Sequence, residues 1–212
     1  MSNDPDQRAP KHFSMLRGFH LADAFTLANA ACGVAAVLMA MRYFVSHERA
    51  DLLTAAACAP AALIFDILDG RVARWRQTSS ALGRELDSLA DVISFGVAPA
   101  ALAFASGLAG GWDALILVYF VCCGVSRLAR YNVTAEALSS GSDKVKYFEG
   151  TPIPTSVVLT AVLAWAAWQG RIGDAIYGGS WHLLGAELHP LALLFALSGT
   201  LMISKTMHIP KL

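Results

Sequence analysis

Long apolar runs, separated by short polar or glycine-containing intervals, dominate this chain. Six of them, at 24–44, 52–75, 87–108, 112–131, 153–170 and 189–207, approach the ~20 residues a helix needs to cross the hydrocarbon of a bilayer. Gly110-Gly111 separates the third run from the fourth, and Thr151-Pro152-Ile153-Pro154 introduces the fifth, since proline is tolerated in a first helical turn. The stretch 171–188, with Gly178-Gly179 and Trp181, reads as an interfacial loop. The pattern therefore predicts an all-α fold: a polytopic membrane bundle of about six transmembrane helices. A cytoplasmic N-terminal segment is expected over 1–22 and one membrane domain over 23–212. Residues 1–22 are polar and contain proline, without the apolar core of a cleaved leader.

Composition agrees. Charged residues make up 15% of the chain and hydrophobic ones 56%, too few charges to cover a soluble surface, for which about 25% is usual. A soluble helical bundle is the alternative this excludes. The zero net charge leaves no electrostatic footprint for nucleic acid. Cys32, Cys58, Cys122 and Cys123 all lie inside apolar runs and form no C-x-x-C pair, so they read as small membrane-buried residues. Placing the N-terminus inside leaves only Arg42, Arg49 and Arg171, of sixteen Lys and Arg, on the outer side. The positive-inside rule then puts both termini in the cytoplasm.

Two runs are not purely apolar, and their exceptions carry the chemistry. Asp66 and Asp69 close the second run at i, i+3; Asp87 and Asp91 open the third at i, i+4. Each pair shares a helix face, and the short connection between the runs returns both pairs to one depth near the cytoplasmic surface. Carboxylates within membrane helices are costly and need partners. Two divalent cations would neutralise the four, and an all-oxygen ligand set favours Mg²⁺, Mn²⁺ or Ca²⁺ over zinc. Such a site suits displacement at phosphorus. Two other readings stay open: ion pairs with Arg71, Arg74, Arg76 and Arg84, or a proton relay in a carrier, although carriers more often place coupling groups near the midplane. Gly70 and Gly83 fit either a close approach of backbone to a ligand or tight helix packing. Arg74, one turn beyond Gly70, is placed to meet a pyrophosphate.

Asp66-x-x-Asp69-Gly70-x-x-Ala73-Arg74, followed after eight residues by Gly83-x-x-x-Asp87-x-x-x-Asp91, resembles the complete signature of the CDP-alcohol phosphatidyltransferases. Within that family the stretches Glu85–Ala100, Ser126–Asn132, Phe148–Pro154 and Ala22–Asn29 are similar to the bacterial and archaeal phosphatidylserine synthases. The pattern departs mildly at Thr151, where those synthases often carry leucine, and Glu149 adds an acid near the acceptor region.

The resemblance implies a divalent-metal enzyme, with two Mg²⁺ or Mn²⁺ ions, that moves the phosphatidyl group of CDP-diacylglycerol to L-serine. It implies metal binding by Asp66, Asp69 and Asp87, with Asp91 binding the second ion and acting as general base. Gly70, Arg74, Ser80 and Gly83 would contact the CDP part of the donor, with Thr26 and Asn29 as further candidates for that pocket. The family resemblance also implies a homodimer among membrane lipids, in a bacterial or archaeal cytoplasmic membrane, with the active site on the cytoplasmic face. Arg127 and Arg130 are candidates for the serine carboxylate and Asn132 for orienting the acceptor. Lys144 and Lys146 keep phosphate-bearing acceptors open, so glycerol phosphate, inositol phosphate and choline remain alternatives.

Overall fold

The computed structural model describes residues 21–76, 81–139, 147–204 and 208–210. Within these, seven α-helices carry most of the residues: α1 (Leu21–Ser46), α2 (Arg49–Arg76), α3 (Ala81–Asp91), α4 (Ala98–Ala105), α5 (Gly111–Ser139), α6 (Val157–Trp168) and α7 (Ala192–Ile203). A π-helical segment, Val92–Val97, joins α3 to α4. A 3₁₀ turn, Ile153–Ser156, leads into α6. Most of the predicted N-terminal segment, residues 1–20, lies outside the described residues.

Among the described residues, four helices are long and apolar enough to cross a membrane: Ala22–Ser46, Arg49–Val72, Leu82–Ala105 and Gly111–Thr134. The fifth and sixth expected spans are the shorter apolar helices Ile153–Trp168 and Ala192–Ile203. At about 1.5 Å per residue neither alone covers the ~30 Å hydrocarbon core. Strands also appear where the sequence suggested only helices and a loop. β2 (Trp181–Leu183) and β3 (Ala186–Leu188) form an antiparallel hairpin inside the expected interfacial stretch. β1 (Tyr147–Glu149) pairs antiparallel with β4 (His208–Pro210).

Helix α1 shows how the bundle is built. Leu27, Val34, Leu38, Met41 and Val45 are exposed along one stripe, the face a lipid would cover. The opposite stripe, Ala22, Thr26, Asn29, Gly33, Ala36 and Ala40, is buried. Small residues on that stripe let backbones approach closely, the usual basis of helix packing without a hydrophobic drive. Gly33 shows how close: a Cβ there would lie 2.5 Å from Ser94 Oγ and 2.7 Å from its Cα. Helix α2 contributes the matching surface, with Leu52, Ala55, Ala56, Ala59 and Ala62 buried.

The π-helical turn has a local cause. Pro99 stands two residues beyond it, and in a regular α-helix its ring would collide with the carbonyl of Phe95. The wider turn, in which the Ala98 N–H reaches back to Ile93 O, gives the ring room. Such turns recur at functional sites, and this one begins at the residue after Asp91.

At the end of the bundle where α5 begins, a buried carboxylate ties two helices together. Asp113 accepts hydrogen bonds from the His189 backbone N–H (2.8 Å) and the Gly110 N–H (3.0 Å), and its Oδ2 lies 2.6 Å from His189 Nδ1. Helices α5 and α7 thus start side by side and continue together, with Phe120 and Phe195 in edge-to-face contact at 5.3 Å. At the far end of α7, Thr151 N–H donates to Leu201 O. Gly150 (φ +75°) runs so close to Met202 O that a Cβ would lie 2.3 Å from it.

Gly33→Ala is expected to lower the melting temperature of the detergent-purified protein, because overpacking of this kind costs about 1–3 kcal/mol. An unchanged thermal unfolding curve would mean that α1 and the π-helical turn separate freely.

Candidate functional site

Helix α2 ends and α3 begins at the same end of the bundle, which brings the two aspartate pairs together. Carboxylate oxygens of Asp66, Asp69 and Asp87 all lie within 4.8 Å of one another. Asp91 stands outside that tight group but within electrostatic reach of all three. Asp69 and Asp91 are buried, and Asp66 and Asp87 partly so.

Helix α1 supplies the polar groups that hold these acids. Thr26 Oγ1 donates to Asp69 Oδ2 at 2.8 Å, and Asn29 Nδ2 donates to Asp91 Oδ1 at 3.3 Å. Asn29 is itself fixed, since its backbone carbonyl accepts from Ser94 Oγ at 2.8 Å. The rotation of the chain just past Asp91 is therefore locked to α1 through Ser94. Thr26 and Asn29, the two α1 residues expected in the nucleotide pocket, thus both reach the carboxylates.

The remaining candidates divide by position. Arg127, on α5, is partly buried and interacts electrostatically with Asp91, while its Nε is buried without a hydrogen-bond partner. Arg130 is exposed. Asn132 donates to Ser88 Oγ (3.0 Å) and Glu85 Oε2 (3.3 Å), a strut between α5 and α3. Arg74 is exposed, its guanidinium 4.0 Å from where a Gly70 Cβ would stand. Gly83 lies in the first turns of α3, one turn before Asp87. Ser80 lies outside the described residues.

These residues are where a known family keeps its signature. The family model described as CDP-alcohol phosphatidyltransferase matches residues 19–199. The chain belongs to the CDP-alcohol phosphatidyltransferase family. Relatives named CDP-diacylglycerol–serine O-phosphatidyltransferase occur in yeast, bacteria and an archaeon. The one from Saccharomyces cerevisiae is 44% identical over 94% of this chain and 74% of its own length. That from Mycobacterium tuberculosis is 35% identical over 71% of this chain and 51% of its own, so the chain spans about half of that relative. The Methanocaldococcus jannaschii protein is 36% identical over 69% of this chain and 61% of its own length.

In this phosphatidyltransferase the acidic cluster fits divalent cations on its own geometry. Among the described residues no ion pair involves Asp66, Asp69, Asp87 or Asp91. Asp87 Oδ1 is buried without a hydrogen-bond partner. A donor set of carboxylate oxygens alone suits a hard cation.

A fifth acid, Asp23, is buried at the start of α1 and interacts electrostatically with Asp69. The sequence reading left it without a role. Its signal was available: Asp23, Thr26, Asn29 and Gly33 recur every three or four residues, a polar and small stripe on an otherwise apolar span.

Thr26→Val keeps the shape of the side chain but removes the bond to Asp69, and hydrogen bonds to charged groups contribute about 1.5–3 kcal/mol. Thermal unfolding in detergent should show the loss, and Thr26→Ser should restore most of it.

Proposed function

We propose that this chain transfers the phosphatidyl group of CDP-diacylglycerol to L-serine and releases CMP. The reading rests on the convergence of the signature carboxylates from α2 and α3 in a chain 44% identical to a relative named for that reaction. In the proposed reaction the serine hydroxyl oxygen attacks the phosphatidyl phosphorus, the bond from that phosphorus to the CMP oxygen breaks, and CMP departs with the electron pair. Asp66, Asp69, Asp87 and Asp91 would hold two divalent cations, Mg²⁺ or Mn²⁺. When bound, these would supply positive charge against the pyrophosphate oxygens, the electrostatic contribution that dominates phosphoryl transfer.

The chain's own residues do the rest. Asn29 Nδ2 engages Asp91 Oδ1, which leaves Oδ2 to take the hydroxyl proton. Arg127, with its unpaired Nε beside Asp91, is placed to hold the serine carboxylate and so bring the hydroxyl to that oxygen. Arg130, exposed on the same helix, fits a headgroup-level anchor better. Gly70, Arg74, Gly83 and Ser80 would line the CDP side, and the absence of a Cβ at Gly70 leaves open space for the nucleotide.

The bundle is read as crossing the membrane six times. Helix α7 starts beside the start of α5 at Asp113 and ends against Gly150 and Thr151, so with its flanking residues it traverses from one end of the bundle toward the other. Helix α6 leaves from that second region and ends at Trp168. Both termini and the aspartates would then share one side, the cytoplasmic side by the distribution of Lys and Arg. A homodimer is the expected assembly.

The test is CMP release from CDP-diacylglycerol by the purified protein with Mn²⁺ or Mg²⁺. L-serine, glycerol 3-phosphate, inositol phosphate and choline are supplied separately, beside Asp91→Asn. Release with serine alone, lost in the variant, is expected. Release with a different acceptor would keep the family and overturn serine. Asp87→Asn should weaken Mn²⁺ binding measured by calorimetry at least tenfold, about 1.4 kcal/mol. Arg127→Gln should raise the KM for serine tenfold or more while leaving the KM for CDP-diacylglycerol nearly unchanged.

A further inference from the structure

The β2–β3 hairpin lies at the end of the bundle opposite the aspartates, and neither the family signature nor the proposed reaction uses it. Its side chains alternate. Trp181 and Leu183 lie on one face with their cross-strand partners Leu188 and Ala186, while His182 and Glu187 face each other on the other, as the two-residue period of a strand dictates. His182 Nε2 and Glu187 Oε1 lie 3.5 Å apart. The hairpin is thus amphipathic.

Only half of its apolar face is covered by protein. Leu188 packs against the core and Ala186 against Gly111 at the start of α5. Trp181 and Leu183 extend past that contact and are more than half exposed.

The tip is more telling. Leu184 and Gly185 make a tight turn with φ values of +52° and +83°. Asn or Asp is the residue that fits the first of these positions without strain in a two-residue hairpin turn. A leucine with positive φ is an outlier that water does not reward, yet Leu184 is 88% exposed. A bulky apolar residue kept in a strained, open position points to an apolar solvent around it.

The surroundings identify that solvent. Trp112, in the first turn of a membrane span, donates its indole N–H to Leu183 O at 2.9 Å, so the hairpin is joined to the lipid-facing surface where a span ends. Trp168 closes α6, and Arg171 follows it with its guanidinium 4.9 Å from the Tyr177 ring centre. Tryptophan and tyrosine collect where hydrocarbon meets headgroups. We propose that the hairpin is a membrane-interface foot: it lies in the leaflet opposite the aspartate cluster, with Leu184, Leu183 and Trp181 among the upper acyl chains and His182 and Glu187 toward water. The occupant is the lipid surface itself, as for other amphipathic elements that bury one face in the interface. This inference is independent of which alcohol the enzyme uses.

Site-directed spin labelling of the full chain in phosphatidylcholine–phosphatidylglycerol liposomes tests it. Nitroxides are placed at Leu184→Cys and, separately, Glu187→Cys in a Cys122→Ser background, with that background alone giving the signal of the remaining cysteines. The label at 184 should collide more with dissolved oxygen than with a water-soluble nickel chelate, and the label at 187 should show the reverse. Equal nickel access at both positions would place the hairpin in water and overturn the proposal. Shielding of 184 from both reagents would overturn it too, by showing a protein cover such as a second copy. Depth-dependent quenching of fluorescence by brominated lipids, compared between the unmodified protein and Trp181→Phe, gives a second readout that needs no label. A foot in the interface predicts that Trp181→Phe removes part of the quenchable emission, and an unchanged quenched fraction would count against it.

Discussion

Four carboxylates lie close together inside helices that otherwise face lipid, and much of the bundle can be understood from that constraint. Acids so close repel one another and lose hydration together. Three of them converge on a common point, where a bound cation would offset the repulsion, and the fourth accepts a hydrogen bond from an amide on another helix. Helix α1 is the element that makes this possible. Its buried stripe places hydroxyl and amide groups level with the acids, and small residues further along let the backbones of α2 and the π-helical turn come near enough to be reached.

The same close packing sets the separate character of Asp91. Asp91 sits one regular turn beyond Asp87, at the last residue of α3, and there it meets Asn29 and the Arg127 side of the site, while the other three acids share one focus. The wider turn that begins just after it is pinned to α1 through Ser94, which holds the end of α3 against Asn29.

Much of this was legible in the sequence because it is written in long periodic runs and in fixed spacings between acids. The four long spans fall where the apolar runs fall, and the aspartates meet as their i, i+3 and i, i+4 spacing demands. What escaped has physical reasons. A π-helical turn leaves no mark on hydrophobic periodicity, and only Gly96 and Pro99 hint at it. The hairpin at 181–188 is too short for its alternation to stand out from a glycine-rich loop, and its turn uses Leu184 where asparagine would have announced it. The shorter length of α6 and α7 arises because 3₁₀ and loop residues, among them Pro154 and Pro190, take up the ends of the apolar runs. The engagement of Asn132 with Glu85 and Ser88 is a contact between helices distant in sequence, which no local pattern encodes.

The junction at Asp113 bears on how this protein meets bilayers of different thickness. Three donors from two segments end on that one carboxylate, so sliding α7 along α5 would strand buried polar groups in a poorly hydrated place. Mismatch between the span and the surrounding lipid is then met by leaning the α5–α7 pair as a unit, the accommodation open to helices that cannot shift in register. Because α5 also carries Arg127, which interacts with Asp91, a lean of that pair would turn this arginine relative to the aspartates, and the thickness of the membrane would reach the acidic cluster through the tilt of one helix pair.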